Sequence, residues 1–322
     1  TFSLTVTPYD TYGNVTTGSS TVNFNPVQAN GTGPAPTGSL TIGTADTSSG
    51  PTIVNNIIYN RPETIDIEAT DGSTTSTPSN TLDLTFARTT KVASITVDQP
   101  AAAVNVEAGE DYTVKATAYD AYSNTCASGT AISWSTTIVS GSAGATLATS
   151  SSSCDASGQA NVVVTVTTTA GDAHTVTATN GTVSATTPNL NVIANTTLAT
   201  IGFTGPATAT AGVAYTLTAN AYDAYGNFIN VYNTSTSITV SGPSNAPDGT
   251  TPMLPSNVLF AAGTATVSVT LYKAEVASLN IQSGSLSITD PQDVTVSAAG
   301  VSYYTTTGFG ASQEVGVPFS VT

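Results

Sequence analysis

The sequence is poor in nearly every side chain that performs chemistry. It holds one His, two Cys, one Met and one Trp in 322 residues, and only 5 Lys and Arg together. Imidazole catalysis, zinc clusters and thiolate chemistry have almost no material to work with. The cations face 20 Asp and Glu, for a formal net charge of -15. Such a surface repels phosphate backbones and anionic lipid headgroups, so nucleic-acid binding and membrane-surface binding through a basic patch are excluded. Partners must be neutral, cationic or further copies of the chain. No run approaches the roughly 18 apolar residues of a membrane span, so no membrane insertion is expected. The N-terminus shows neither a Met nor a basic and apolar leader, and the sequence reads as a mature product or an excised piece.

What is present is strand-forming material. Hydrophobic residues make up 39% of the chain, and Val, Ile, Thr and Tyr suit half-buried pleated strands, so the wealth of Thr, Ser, Gly and Asn does not signal disorder. The fold expected is all-β.

Internal repetition organises the chain. Tyr9-Asp10-Thr11-Tyr12-Gly13-Asn14, Tyr119-Asp120-Ala121-Tyr122-Ser123-Asn124 and Tyr222-Asp223-Ala224-Tyr225-Gly226-Asn227 share one pattern, and each follows an alternating strand. In those strands Phe2, Leu4 and Val6 correspond to Tyr112, Val114 and Ala116, then to Tyr215, Leu217 and Ala219. One face is apolar and the other carries mostly Thr, Ser and Lys. The motifs lie 110 and 103 residues apart, too far for a solenoid repeat and right for a complete antiparallel β-sandwich. Downstream, Val22 with Phe24, Ile132 with Trp134, and Ile238 with Val240 read as the core face of the next strand. Ile65, Ile67 and Ala69 then align with Val162, Val164 and Val166, and with Val267, Val269 and Leu271.

A leader precedes the second and third motif strands, Ala93 to Gly109 and Ala199 to Gly212. The first motif strand lacks one, whereas Val301 to Gly316 looks like another and Pro318 to Thr322 matches Thr1 to Thr5. Three sandwiches are therefore expected: residues 1–90 without their leading strand, 91–197 and 198–299, followed by a spare leading strand at 300–322. The short junctions, poor in glycine, predict an extended rod on the order of 120 Å long. Copies would join head to tail, either by chain continuity in a longer tandem array or by strand complementation with Val301 to Thr322.

At these residues the chain resembles the bacterial immunoglobulin-like repeats of invasin and intimin type adhesins and related modules of prokaryotic surface-layer proteins. The likeness covers all three repeats. It is best in the second, where Ala131-Ile132-Ser133-Trp134 is followed by Asp155-Ala156-Ser157-Gly158-Gln159-Ala160 and Val162 to Val166, similar to the family's Asp-x-x-Gly-x-Ala turn and strand. In the third repeat Ala261-Ala262-Gly263-Thr264-Ala265 keeps part of that turn, and the first has lost most of it. The resemblance implies tandem Ig-like domains in extracellular spacer or adhesive arrays, and it supplies no catalytic residues.

Asp10, Asp120 and Asp223 are each followed four residues later by Asn14, Asn124 and Asn227. An Asx side chain there closes a turn onto backbone N–H groups. Calcium is the alternative, drawing oxygens from Asp, Asn and nearby carbonyls, although no Asp-x-Asp cluster accompanies the motif. Cys126 and Cys154 are expected to form a disulfide within the second repeat, worth about 3–4 kcal/mol in the chain-entropy model. His174 and Asp172 do not make a hydrolase, because no nucleophile turn accompanies them. The acids are too scattered to suggest a carboxylate-pair glycosidase. Asn14, Asn30, Asn180, Asn195 and Asn233 open Asn-x-Ser/Thr sequons and are candidate glycosylation sites.

The function expected is a non-enzymatic extracellular structural protein: a stalk, fibre or surface-layer component. The alternative is an adhesin arm that binds a glycan or host protein through domain-tip loops. Residues 25–38 are the best candidate for such a loop, although their Pro, Gly and Asn content reads as a packed excursion.

Overall fold

The computed structural model describes residues 2–76, 83–284, 286–289, 292–305, 315, 316 and 318. Among them the only helical element is one three-residue 3-10 turn, Ala29–Gly31, and no helix is long and apolar enough to cross a membrane. Two compact units form: Thr1–Thr167 with Gly171–Val192, and Thr168–Ala170 with Ile193–Thr322.

In the first unit, each alternating motif strand sits in a sheet with its apolar face inward. Phe2–Val6 pairs antiparallel with Thr52–Tyr59, which pairs with Leu40–Thr41. The facing sheet orders Asn23–Gln28, Thr64–Thr70 and Leu84–Thr85. Val22, Phe24, Ala45, Val54 and Ile57 are buried between these sheets. Phe2–Val6 is an edge strand of its sheet.

The rest of the first unit is a fuller sandwich. Asp111–Tyr119 lies between Ser94–Gln99 and Gln159–Thr165, with Thr146–Leu147 beyond. Opposite it stands the sheet Ser151–Ser153, Ala131–Ser140, Ala173–Asn180, Leu190–Ile193 and Val104–Glu107, with Val183–Thr186 also on Ala173–Asn180. The leader thus serves both sheets, Ser94–Gln99 in one and Val104–Glu107 in the other. It crosses near Pro100, where a residue without an N–H can leave the ladder. Trp134, Ile132, Val114, Val162, Val176 and Leu190 fill the space between.

The second unit repeats the plan. Ala214–Tyr222 lies between Thr200–Thr204 and Thr264–Thr270, and Val276–Gln282 runs between Thr239–Ser241 and Gln292–Ser297 in the opposing sheet. Leu217, Val269, Phe260, Leu279 and Ile201 form its centre. Two pairings depart from the antiparallel expectation: Thr200–Thr204 runs parallel to Ser287–Thr289, and Thr208–Thr210 runs parallel to Gln292–Ser297. Both come from the leader: Thr208–Thr210 edges its sheet, while Thr200–Thr204 lies between Ala214–Tyr222 and Ser287–Thr289.

One sequence alignment needs correction. The strand of the first repeat that matches Gln159–Thr165 and Thr264–Thr270 is Thr52–Tyr59, because it is the one paired with the motif strand. Ile65, Ile67 and Ala69 lie on Thr64–Thr70, which pairs with Asn23–Gln28 in the other sheet. Of the expected spare strand, residues 301–305 carry no strand, and Val301, Tyr303 and Tyr304 are exposed. The remainder of Val301 to Thr322, apart from 315, 316 and 318, lies outside the described residues.

Candidate functional site: the repeated Asp–Asn turn

The chain leaves each motif strand through a bridge between the motif Tyr and the residue after its Asn: Tyr9 with Val15, Tyr119 with Thr125, and Tyr222 with Phe228. Inside that bridge a five-residue turn closes the same way three times. The Asp N–H donates to the Asn carbonyl at 2.9, 2.9 and 3.0 Å, and the residue before Asn donates to the Asp carbonyl at 3.1 Å in all three. That residue needs a left-handed backbone, which Gly13 (φ 82), Ser123 (φ 64) and Gly226 (φ 84) adopt.

The Asp side chain fixes the turn. Oδ1 of Asp10, Asp120 and Asp223 accepts N–H bonds from the second Tyr and from the Asn, all within 2.8–2.9 Å. Oδ2 accepts from the Asn Nδ2 at 2.9, 3.1 and 2.9 Å. At Asp10 and Asp223 these N–H donors favour the charged form. The Asn14 side-chain bond, with the neighbouring backbone N–H groups, pulls Asp10 below the ordinary carboxylate range. At Asp223 burial pushes upward, yet the bonds from Asn227, Asn195 and Tyr225 outweigh it and hold the acid low.

Sequence reading treated the Asp155 to Gln159 stretch as a different motif. It is the same turn: Asp155 N–H donates to the Gln159 carbonyl at 2.9 Å, Oδ1 accepts from Ser157 and Gln159 N–H at 2.7 and 3.0 Å, and Gly158 takes φ 78. The longer Gln159 side chain reaches past the turn to Asp98 Oδ2 at 3.1 Å. The shared signal was an Asp with an amide side chain four residues on.

The environments of the three Asn differ. Asn14 is exposed. Asn124 is buried, and its Nδ2 also donates to the Asn60 carbonyl at 2.8 Å, with Arg61 Nη1 3.4 Å from its Oδ1. Asn227 Nδ2 donates to the Thr168 carbonyl at 2.8 Å, and its Oδ1 accepts from Ala170 N–H at 2.9 Å, all within the second unit. Two of the five cations, Arg61 and Arg88, lie around the Asn124 turn. Arg88 donates to Thr125 Oγ1 and, at 2.8 Å, to the Ala156 carbonyl, while Ala127 N–H donates to the Thr89 carbonyl. Sequence reasoning missed both arginines, and their scarcity was the available signal.

Among the described residues no group of three or more His, Cys, Asp or Glu is placed to hold a metal ion. Cys126 and Cys154 are free and buried, which corrects the expected disulfide. Both pack in the core of the second sandwich as small apolar side chains. Burial pushes both thiols up, away from the thiolate that oxidation requires.

The sequons are placed as follows. Asn30 is exposed and donates through Nδ2 to Asp83 Oδ2 at 2.6 Å. Asn180 Nδ2 donates to the Ala131 carbonyl at 2.8 Å, and Asn233 Nδ2 to the Val231 carbonyl at 2.9 Å. Asn195 accepts at Oδ1 from Thr197 N–H at 2.9 Å, and Asn14 is tied into its turn. Within residues 25–38, Asn30 N–H donates to the buried Asp66. Thr37 and Gly38 N–H donate to Glu63 Oε1 at 2.9 Å, so this excursion is packed down.

His174 is sealed in the core. Thr167 Oγ1 donates to Asp172 Oδ2 at 2.7 Å and lies 3.2 Å from His174 Nε2, an arrangement in which Nε2–H donates to the hydroxyl oxygen. Burial lowers the His174 pKa from 6.5, against a smaller upward pull from Asp172. The unfolded chain then binds the proton more tightly than the folded one. The contribution is complete above about pH 6.5 and declines as pH falls through that value. The lowered carboxylates, Asp10 and Asp223 among them, lose their contributions only further down, below their ordinary value of 3.8. In thermal melts from pH 7.5 to 4.5, His174→Gln is expected to flatten the decline that begins near pH 6.5. An unchanged decline would show that His174 does not set it.

No family model matches the chain, and no curated protein matches it. Among solved structures it is similar to FdeC, an Escherichia coli adhesin, with 20% identity over 92% of each chain and a TM-score of 0.45. It is also similar to invasin, a bacterial integrin-binding protein, with 14% identity over 92% of this chain and 56% of that one, TM-score 0.41. A third likeness is to domains 4–9 of the surface layer protein SbsC, with 19% identity over 94% of this chain and 43% of that one, TM-score 0.27. The sandwich assignment itself rests on the strand pairings above.

Proposed function

We propose that the chain is a non-enzymatic structural segment of a cell-surface protein, a stalk, fibre or surface-layer element built from three serial Ig-like sandwiches at residues 1–90, 91–197 and 198–299. The observation that carries this reading is the Asp–Asn turn, built three times with the same bonds. A reactive site differs from its surroundings, whereas this feature recurs with each sandwich, its Oδ1 accepting backbone N–H groups and its Oδ2 the Asn side-chain amide. Asp10, Asp120 and Asp223 act in this reading as turn acceptors. A net charge of -15 with 8% charged residues suits a solvated exterior surface. The names of the similar structures, adhesins and a surface-layer protein, agree with that setting.

A binding arm is the second reading. It is favoured by an open recess of about 490 Å³ at the motif end of the first sandwich, lined by Tyr9, Val22, Thr47 and Asp71 among others. The surface reading is tested on intact cells of the source organism with an antibody to this segment. Labelling without permeabilisation, removed by external protease, is expected. Labelling only after permeabilisation would overturn the reading.

A further inference from the structure

We propose that the asparagine closing the Asp–Asn turn is a clasp, whose partner is the main chain of the strand connection that precedes it in the sequence. Two copies of the contact carry this inference. Asn124 holds the Asn60 carbonyl, in the connection between Thr52–Tyr59 and Thr64–Thr70. Asn227 holds the Thr168 carbonyl, in the connection between Gln159–Thr165 and Ala173–Asn180. These connections are equivalent, because in each case the strand before them pairs with a motif strand.

The connections share no side-chain pattern: Asn60-Arg61-Pro62-Glu63 in one, Thr168-Thr169-Ala170-Gly171 in the other. Recognition falls on a carbonyl that any residue can offer, so the clasp residue recurs while the clasped loop varies. The chemistry selects asparagine. One Nδ2 hydrogen closes the turn on the Asp Oδ2, the second reaches the foreign carbonyl, and Oδ1 remains to accept, as it does from Ala170 N–H. Aspartate has no donor. Glutamine fits the turn, as Gln159 does after Asp155, but its amide travels one methylene further and bonds Asp98 instead. Asn14 builds the same turn on an exposed surface and serves as the control. This role does not depend on where the protein resides, so its test is separate from that of the surface reading.

The test is amide hydrogen exchange at Ala170 in the full chain. In the unmodified protein the Ala170 amide is expected to be protected. Asn227→Gln should keep the turn and a cooperative melt while speeding Ala170 exchange by about tenfold, the loss of one net hydrogen bond. Asn14→Gln should leave Ala170 unchanged. An Ala170 amide that exchanges at the free-peptide rate in the unmodified protein overturns the clasp, a result that needs no variant to fold. Protection that survives Asn227→Gln overturns it equally.

Discussion

Trp134→Ala is expected to lower the stability of the second sandwich by about 3–5 kcal/mol, the range for removing a buried aromatic from a close-packed core. Trp134 is 4% exposed among Ile132, Val114 and Val162, and its indole N–H donates to Ser152 Oγ at 2.8 Å. Deleting the ring leaves a cavity that strands from both sheets cannot close, because each is fixed by its own ladder. Trp134→Phe keeps most of the volume, loses the bond to Ser152 and should cost far less. Denaturant unfolding followed by circular dichroism measures both. A loss below about 1 kcal/mol for the alanine variant would place the ring outside the core.

Asp223→Ala is the second large effect, expected to cost the second unit about 3 kcal/mol. Asp223 is 1% exposed and accepts four N–H bonds, from Tyr225, Asn227 backbone, Asn227 Nδ2 and Asn195. Its removal strands those donors where water reaches them poorly. The same change at Asp10 removes the same turn acceptor from an exposed position, where water replaces it, and should cost much less. Thermal melts of the two variants side by side give the comparison. Equal losses would mean that burial adds nothing to the turn.

Period-two alternation made the motif strands legible in the sequence. Phe2, Leu4 and Val6 and their counterparts point inward, and Val22, Phe24, Ile132, Trp134, Ile238 and Val240 are all buried. The alternation misled where the backbone departs from it. Thr52–Tyr59 carries Asn56 at φ 60, and its register against Phe2–Val6 slips, so its apolar residues do not alternate cleanly. The regular Ile65, Ile67 and Ala69 looked like the better match and belong to the opposite sheet.

The Asp–Asn turn was visible as a spacing because its bonds are local. The partner of each asparagine was not, since a main-chain carbonyl some 60 residues away leaves no mark in sequence. The cysteines were misjudged for a related reason. An even count in an exported-looking chain suggests a bridge, but it carries no information on whether two thiols pack as core side chains.

The central claim is that the chain is a series of separately folded sandwiches suited to carry tension. Single-molecule stretching of the chain between its ends tests it most directly. Three unfolding events are predicted, each releasing roughly 30–38 nm, the extended length of a sandwich of about 90–107 residues. The first sandwich, with the smallest buried cluster among the described residues, should yield at the lowest force. Fewer than three events, or a featureless extension, would contradict the account.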